Sequence, residues 1–225
     1  MVTRIVRVVV ALLVLAVLSP VLVLAAVGIW LSSDGPVLFR ANRVGRHGRI
    51  FCMYKFRTMH VGQHANGSAI TAKDDPRVFV FGSWLRRLKI DELPQLFNIV
   101  KGDMAIVGPR PEDPLIVRTA YAAPHLETLR ILPGLTSPGT LYYYTHGEHR
   151  IDGGDPVRYY VEHLLPMKLA LDLAYTRDAC LSYDTRIVLR TIRAIVFVAM
   201  GAKHFPDPPE MGRSRDLVYP TRYQQ

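Results

Sequence analysis

The sequence KIDELPQLFNIVKGDMAIVGPRP, from Lys89 to Pro111, carries two adjacent carboxylates shortly before a proline. The residue before a proline is biased away from the α region, whereas Pro94 itself suits the first turn of a helix. The pattern therefore predicts a helix from Pro94 to about Gly102, with Asp91 and Glu92 at the junction before it. Unpaired amides and the positive dipole end at a helix start stabilise carboxylates and bind phosphate. The junction is a candidate site for phosphate chemistry.

Two interpretations of the adjacent acids are open. A helix junction allows both carboxylates to address one metal ion or one phosphoryl group, because neighbouring residues of a regular helix diverge by about 100°. The alternative is a structural ion pair between Arg87 and Asp91 at i, i+4 spacing, with Glu92 exposed. Spacing alone favours the ion pair.

At the far end of the same stretch, Arg110 lies between Pro109 and Pro111. The two prolines restrict the backbone on either side and lower the entropy that is lost when the guanidinium binds a ligand. Gly108 permits a close approach of another group. A rigid surface turn is the alternative, but the nearby acid pair favours a binding role.

Further cations precede the acid pair. The segment from Ser33 to His60 predicts two short strands joined at Arg46–Gly48, since turn residues lie there between runs of apolar, β-branched and aromatic residues. In the second strand, alternation places Lys55 and Arg57 on the same face. A solvated strand edge is the alternative. Arg86 follows on a short amphipathic helix, which the spacing of apolar residues predicts.

Composition limits the class of protein. The chain has 225 residues and is 49% hydrophobic, which predicts one main domain with a sizeable core. Its 28 lysines and arginines exceed its 19 acidic residues and give a formal charge of +9, typical of proteins that bind phosphates, nucleic acid or anionic lipid. Cys52 and Cys180 lie far apart and lack metal-ligand spacing, so neither a zinc site nor a disulfide framework is indicated.

The N-terminal segment is apolar enough to enter a membrane, because Val8 to Leu31 contains no charged side chain. Ser19 and Pro20 lie near its middle, where the proline removes a backbone donor and should kink or break the helix. The flanking arginines are Arg4, Arg7, Arg40, Arg43, Arg46 and Arg49. By the positive-inside rule, both ends should be cytoplasmic. These features predict a re-entrant hairpin, and a single spanning helix with a proline kink is the alternative.

The C-terminal region combines arginines with apolar residues. Residues 183–200 place Arg186, Arg190 and Arg193 among isoleucines and valines, as an interfacial helix would, and a core-packing helix is the alternative. From Ala202 the chain is rich in proline and charge, which predicts a poorly ordered tail.

Three strings, YKFRTM, DELPQLFNIVKGDMAIVGPRP and RILPGLTSP, resemble the bacterial sugar transferase family. Its members are monotopic polyprenyl-phosphate phosphoglycosyl transferases, which initiate surface glycan assembly. The resemblance reaches about residue 200 and is most specific over residues 89–111. It implies an α/β fold, with a re-entrant membrane helix-break-helix over residues 1–33 and a compact, mostly helical cytosolic catalytic domain with a short β-hairpin over residues 34–201. Residues 202–225 form the tail.

The resemblance also implies a reaction and its residues. A phosphosugar moves from a nucleotide diphosphate sugar, usually a UDP-sugar, to polyprenyl phosphate, which gives polyprenyl-diphosphate-sugar and UMP. Asp91 is the implied nucleophile, which forms a covalent phosphosugar intermediate. Mg²⁺ is the implied cofactor, with Glu92 and Asp91 as its ligands. The implied substrate-binding residues are Lys55, Arg57, Arg86, Pro109, Arg110 and Pro111.

The implied partners are the nucleotide diphosphate sugar, polyprenyl phosphate and inner-leaflet lipids, with no nucleic acid, and a homodimer is compatible with the sequence. The implied location is the inner (cytoplasmic) membrane of a bacterium, with the catalytic domain in the cytoplasm. A non-catalytic, membrane-tethered basic adaptor that binds anionic lipid or nucleic acid is the alternative. Such a protein has no need of adjacent acids inside a basic cleft, since these would weaken polyanion binding.

Two features leave questions open. Residues 133–148 read PGLTSPGTLYYYTHGE where many family members read PGITGWAQVNG, so the sugar is not defined by the sequence. Asp184 lies at a recurrent acidic position of the family, either as a metal contact or as a structural residue.

Overall fold

The computed structural model describes residues 4–62, 70–71, 75–147, 151 and 155–218. Within these ranges the helices are α1 (Arg4–Ser32), α2 (Val80–Arg87), α3 (Gln95–Lys101), α4 (Pro114–Ala120), α5 (Pro138–Tyr142), α6 (Pro156–Tyr159), α7 (Leu165–Asp178), α8 (Leu181–Ala199) and α9 (Met211–Val218). The strands are β1 (Leu38–Val44), β2 (Ile50–Phe56), β3 (Ala105–Val107) and β4 (Gly134–Thr136). Helix dominates, as the sequence predicts, and the strands form two separate pairs.

β1 and β2 form the predicted hairpin. They pair antiparallel over their full length, with Leu38 opposite Phe56. The connection is the predicted turn Arg46–Gly48, in which His47 has a φ of 58°. Met53 of β2 lies in a core cluster that also contains residues of α3. The hairpin prediction is confirmed.

A second pair of strands, β3 and β4, is not apparent from the sequence patterns. These strands run parallel, with Ala105 opposite Gly134 and Val107 opposite Thr136. The backbones of Gly108 and Gly134 approach each other closely beside this pair. A Cβ atom on Gly134 would lie only 2.1 Å from the backbone nitrogen of Gly108. The pair therefore holds the loop that begins at Gly108 tightly against β4.

α1 continues through Ser19 and Pro20, so of the two outcomes predicted for this point, a kink or a break, the break is wrong. Proline has no N–H to donate to the carbonyl four residues earlier, which is that of Ala16. The hydroxyl of Ser19 donates to this same carbonyl over 2.8 Å and takes the place of the missing amide. Serine side chains that satisfy a freed carbonyl in this way allow proline within membrane helices.

α1 contacts the rest of the domain near both of its ends. Ala11 lies in a core cluster with Ile99 of α3, and Ile29 lies in another with Leu85 of α2. Many other aliphatic side chains of α1 are exposed, including Val17 at 76%. Among the described residues, α1 is the one helix that is long and apolar enough to cross a membrane.

α8 has two different faces. Tyr183, Ile187 and Ala194 are buried in a core cluster, whereas Leu189 and Ile192 are 61% and 55% exposed. The core-packing interpretation describes the first face. The second face presents the aliphatic surface that an interfacial helix requires.

Residues 202–218 do not form the poorly ordered tail that composition predicts. α9 packs against α7, and Glu210, directly before α9, is 3% exposed. Glu210 accepts hydrogen bonds from the Tyr183 hydroxyl over 2.9 Å and from Arg190 over 2.7 Å. This buried carboxylate fixes the segment in spite of its proline and charge content. Residues 219–225 of the predicted tail lie outside the described residues.

We predict that Glu210→Ala lowers the free energy of unfolding by about 1–3 kcal/mol, since it leaves the Tyr183 hydroxyl and the Arg190 guanidinium without their shared acceptor. Asp207→Ala is the matched control, because its carboxylate lies on the same segment and its side chain is 67% exposed. Thermal unfolding in detergent measures both variants. Equal changes of the midpoint would contradict the anchoring role of Glu210.

Candidate active site

The acid pair lies on a single 3-10 turn, Ile90–Glu92, between α2 and α3. α3 begins at Gln95 and is followed by Gly102, whose φ of 91° is left-handed, so the helix predicted from Pro94 to about Gly102 is confirmed. Lys89, directly before the turn, has a φ of 55°. A residue other than glycine in this conformation stores strain, which is common at functional sites. The predicted junction is therefore present.

Glu92 is paired with cations on two sides. Its Oε1 and Oε2 accept hydrogen bonds from Arg110 Nη2 and Nη1 over 2.7 and 3.0 Å. Lys55 Nζ donates to Oε1 over 3.3 Å, and Gln95 Nε2 donates to Oε2 over 3.4 Å. Burial alone would raise the pKa of Glu92, but the charges of Arg110 and Lys55 outweigh burial and hold that pKa well below its usual range. Glu92 is therefore ionised and neutralised by its neighbours.

Asp91 has a different environment from that of Glu92. It is 7% exposed, and its Oδ1 is buried with no hydrogen-bond donor in reach among the described residues. Burial raises the pKa of Asp91 above its usual value, although the charge of Lys55 opposes this shift. An unpartnered buried carboxylate oxygen is costly, and in a native fold it marks a position where a ligand can bind.

The structural interpretation of the acid pair is wrong for both residues. Within the described part of the chain, Arg87 donates to the carbonyl of Val198 over 3.2 Å and forms no ion pair with Asp91. Glu92 is buried rather than exposed. The two acids therefore form a site of their own, with different partners for each.

Three of the predicted cations lie near the acid pair. Lys55 and Arg110 contact Glu92 directly. Arg86, in the last turn of α2, lies close enough for its charge to lower the pKa of Asp91. Burial lowers the pKa of Lys55, and the charge of Glu92 opposes this effect. The site therefore combines two buried carboxylates with a group of basic side chains.

Arg57 serves the fold rather than the acid pair. Its guanidinium donates to the Ser33 carbonyl and hydroxyl over 2.6 and 2.8 Å and to the Pro36 carbonyl over 2.6 Å. Arg57 is 3% exposed and lies one residue beyond the end of β2. The alternation that would place it beside Lys55 stops before it, so the structure does not bring this predicted substrate contact to the site.

Arg110 is held through its backbone as well as through its side chain. Pro109 and Pro111 are buried on either side, and the Pro109 carbonyl accepts a hydrogen bond from the Gly134 amide over 3.0 Å. The Arg110 amide donates to Asp172 Oδ2 over 3.3 Å, while Oδ1 accepts from an amide of α5 over 2.9 Å. Strand β4 and helix α7 together fix the loop that presents the guanidinium.

A buried network next to this loop is not apparent from the sequence patterns. Lys168 and Glu112 form an ion pair, and the Tyr160 hydroxyl donates to Glu112 over 2.6 Å. All three side chains are buried. Glu112 belongs to the GPRPED string, and the i, i+4 spacing of Lys168 and Asp172 on α7 is the sequence signal that could have indicated this network.

The segment 133–148, which departs from the family pattern, also contacts the junction. The Tyr144 hydroxyl donates to the Arg87 carbonyl over 2.8 Å. The Lys89 ammonium lies 4.4 Å from the centre of the Tyr144 ring, within the range of a cation–π contact. A residue of the divergent segment thus supports the strained residue before the acid pair.

Asp184 makes a structural contact. Its Oδ1 accepts a hydrogen bond from the Tyr175 hydroxyl over 2.6 Å, which links α8 to α7. This hydrogen bond is the side-chain contact that the structure shows for Asp184, and it fits the structural role.

Buried acids among basic side chains are typical of sites for phosphate-bearing ligands. The family model described as Bacterial sugar transferase matches residues 1–198, and the chain belongs to this family. The chain is 37% identical over 197 residues to an undecaprenyl-phosphate glucose phosphotransferase of Komagataeibacter xylinus, which covers 82% of this chain and 34% of that protein. The family resemblance in the sequence is confirmed.

Two further relatives match over more of their own length. A UDP-glucose:undecaprenyl-phosphate glucose-1-phosphate transferase of Caulobacter vibrioides is 36% identical over 199 residues, with 86% of this chain and 69% of that protein covered. The exopolysaccharide production protein ExoY of Sinorhizobium fredii is 35% identical over 209 residues, with 84% and 82% covered. The chain spans between 34% and 59% of the length of three of the curated relatives that it matches.

We predict that Asp172 gives the stability of the protein a dependence on pH. Burial raises the pKa of Asp172 to about 6, above that of the unfolded chain. Between about pH 4 and pH 6 the folded state keeps a proton that the unfolded state releases. The resulting stabilisation is therefore complete below about pH 4 and is lost as the pH rises through about 6.

Asp172→Asn removes this titration and nearly keeps the shape of the side chain. Urea unfolding from pH 4 to pH 8 measures the difference in stability between wild type and variant. This difference should change up to about pH 6 and be constant above it. A difference that is constant over the whole range would contradict the raised pKa.

Proposed function

We propose that the chain is a phosphoglycosyl transferase that moves a phosphosugar from a UDP-sugar to undecaprenyl phosphate, in the first membrane step of surface polysaccharide or glycoconjugate synthesis. The name of the Caulobacter relative contains both substrates, and that of the Komagataeibacter relative contains undecaprenyl phosphate. The name of the Sinorhizobium relative refers to exopolysaccharide production. The observation that carries the proposal is that the two acids differ in their hydrogen-bond partners. Glu92 is neutralised by Arg110, whereas Asp91 keeps an oxygen that no described residue binds.

In the first half-reaction, the Asp91 carboxylate attacks the phosphorus that bears the sugar. A bond forms between the Asp91 oxygen and this phosphorus, while the bond to the UMP oxygen breaks and UMP takes the electron pair. The result is a covalent aspartyl phosphosugar. In the second half-reaction, an oxygen of undecaprenyl phosphate attacks the same phosphorus and the Asp91 carboxylate leaves, which yields undecaprenyl-diphosphate-sugar.

The basic side chains stabilise the charge of the donor phosphates. Arg110 uses one N–H of each Nη atom on Glu92, which leaves three of its five N–H groups for phosphate oxygens. Lys55 and Arg86 add positive charge near Asp91. Because Arg110 and Lys55 already contact Glu92, their positions are fixed before a donor binds. Positively charged groups whose positions are fixed in advance stabilise a transition state without the free-energy cost of reorganising the site.

Mg²⁺ is part of the proposal. This ion is usually held by one or two protein carboxylates together with substrate phosphates. The buried, unpartnered Oδ1 of Asp91 fits such a role among the described residues, and Asp91 and Glu92 are the residues that would hold the ion. When bound, Mg²⁺ offsets the negative charge of the diphosphate.

A non-catalytic basic adaptor fits the site less well. A surface that binds anionic lipid or nucleic acid presents its cations to the polyanion. Lys55 and Arg110 instead contact a buried glutamate. The geometry therefore favours an enzyme.

For the topology, we propose a monotopic protein with α1 re-entrant in the inner leaflet and the catalytic domain in the cytoplasm. The contacts of Ala11 and Ile29 support this placement, because a helix that spans the bilayer would carry one end away from the domain. The arginines in the first two turns of α1 and those that follow α1 support it as well. The exposed aliphatic faces of α1 and α8 supply surface for lipid.

We predict that Asp91→Asn lowers sugar transfer by about a thousandfold or more, because the amide keeps the shape of the side chain but is not a nucleophile. Asp207→Asn, on an exposed side chain, is the control and should keep full activity. UMP release from a panel of UDP-sugars, with undecaprenyl phosphate and Mg²⁺, measures turnover. Intact-protein mass spectrometry with donor alone should show a phosphosugar adduct on wild type and none on Asp91→Asn. Turnover by the wild type without an adduct, or substantial turnover by Asp91→Asn, would replace the covalent mechanism with direct attack by the acceptor.

We predict that both ends of α1 face the cytoplasm. Ile5→Cys and Asp34→Cys, each introduced after Cys52 and Cys180 have been replaced by alanine, place single thiols at exposed positions beside the two ends. An impermeant thiol reagent should label neither position in intact cells and both positions in inverted membrane vesicles. Labelling of one position from outside intact cells would show that α1 spans the membrane.

A further inference from the structure

A cavity of about 630 Å³ lies between α1, α8 and the parallel strands β3 and β4. Its walls consist mainly of aliphatic side chains, and its volume is within the range of ligand-binding pockets. The wall residues that α1 and α8 contribute include Val6, Val10, Val14, Val188, Leu189 and Ile192. Such walls offer few hydrogen-bonding groups, so the cavity suits a hydrocarbon rather than a sugar or a nucleotide.

Four charged residues of the described ranges line the cavity beside the aliphatic ones, namely Lys89, Glu92, Arg7 and Asp184. Of these, Lys89 and Glu92 belong to the junction that carries the acid pair. In the described part of the chain, Lys55 and Arg110 contact Glu92 but do not line the cavity. Glu92 therefore contacts the cations Lys55 and Arg110 and also lines the mainly aliphatic cavity, together with Lys89.

We propose that this cavity holds the hydrocarbon chain of the lipid acceptor, with the acceptor phosphate at Lys89. The proposal rests on the proposed function, because it needs an acceptor that joins a long apolar chain to a phosphate. Undecaprenyl phosphate has this chemistry. The aliphatic walls match the chain, and the ammonium group of Lys89 matches the charge of the phosphate.

This arrangement gives each substrate its own side of the acid pair. The donor binds at Lys55 and Arg110, and the acceptor binds at Lys89 and the cavity. UMP can leave, and the acceptor can approach, without competition for the same space.

The hydrocarbon chain can reach the cavity from a bilayer. α1 and α8 expose aliphatic side chains next to the walls, including Val9 at 48% and Val196 at 48%. A cavity of this size holds a part of a long polyprenyl chain. The units nearest the phosphate therefore lie inside, and the remainder of the chain stays among the lipid tails.

Tryptophan substitutions on opposite walls test the proposal. Val10→Trp and Ile195→Trp add bulk at half-buried positions of the cavity wall, whereas Val9→Trp and Val196→Trp add it to the exposed surface of the same helices. Native mass spectrometry of the full chain in detergent measures the binding of undecaprenyl phosphate and needs no turnover. We expect about tenfold weaker binding for either cavity variant and unchanged binding for both controls, since added bulk excludes part of the chain.

Turnover provides a second measurement. The KM for undecaprenyl phosphate should rise about tenfold in the cavity variants, while UMP release with donor alone should stay at the wild-type level. Equal binding by cavity variants and controls would overturn the proposal. If binding depends on the cavity but no UDP-sugar supports transfer, the cavity proposal stands and the proposed reaction fails.

Discussion

The pairing of Glu92 with Arg110 is the contact on which the rest of the site depends. A buried carboxylate is costly unless a cation neutralises it, and a guanidinium does so with two donors in one plane. Because Arg110 neutralises the charge of Glu92, the burial of Asp91 next to Glu92 does not place two uncompensated negative charges side by side. One arginine thus gives two adjacent acids different environments: one acid is held by protein groups, and the other keeps an oxygen that no described residue binds.

The position of Arg110 depends in turn on residues that are distant in the sequence. Its amide reaches Asp172 of α7, and the proline before it is bonded to β4. Close contact between Gly108 and Gly134 leaves no room for a side chain at either position. The site at the acid pair therefore depends on strands and helices that are far apart in the sequence, and the family motif contains only the part of this support that is continuous in sequence.

Local patterns were sufficient to predict the elements that local forces determine. The hairpin and its turn, and the helix from Pro94 to Gly102, follow from alternation, glycine and proline, which act over a few residues. Three strings indicated the family, and the most specific of them, within residues 89–111, also contains the acid pair and Arg110. β3 and β4 escaped prediction because each has three residues and finds its partner far along the chain.

The other predictions that failed share a physical cause: groups outside the local sequence pattern supplied hydrogen-bond partners that the pattern did not indicate. Alternation along β2 predicted the face of Lys55 but failed for Arg57, because β2 ends before that residue. The Arg57 guanidinium donates instead to carbonyl groups of residues that follow α1. Composition indicated a disordered tail, but Glu210 found two partners on α8. The proline rule indicated a break in α1, but the neighbouring serine supplied the missing donor.

That serine has a consequence for the evolution of α1. With Pro20 present, loss of the Ser19 hydroxyl would leave the Ala16 carbonyl bare in the apolar surroundings that we propose, at a cost of several kcal/mol. With another residue in place of the proline, a backbone amide would serve this carbonyl and the hydroxyl would be dispensable. The two sites are therefore epistatic. A lineage can lose the proline first and the serine later, but the opposite order passes through a less stable protein.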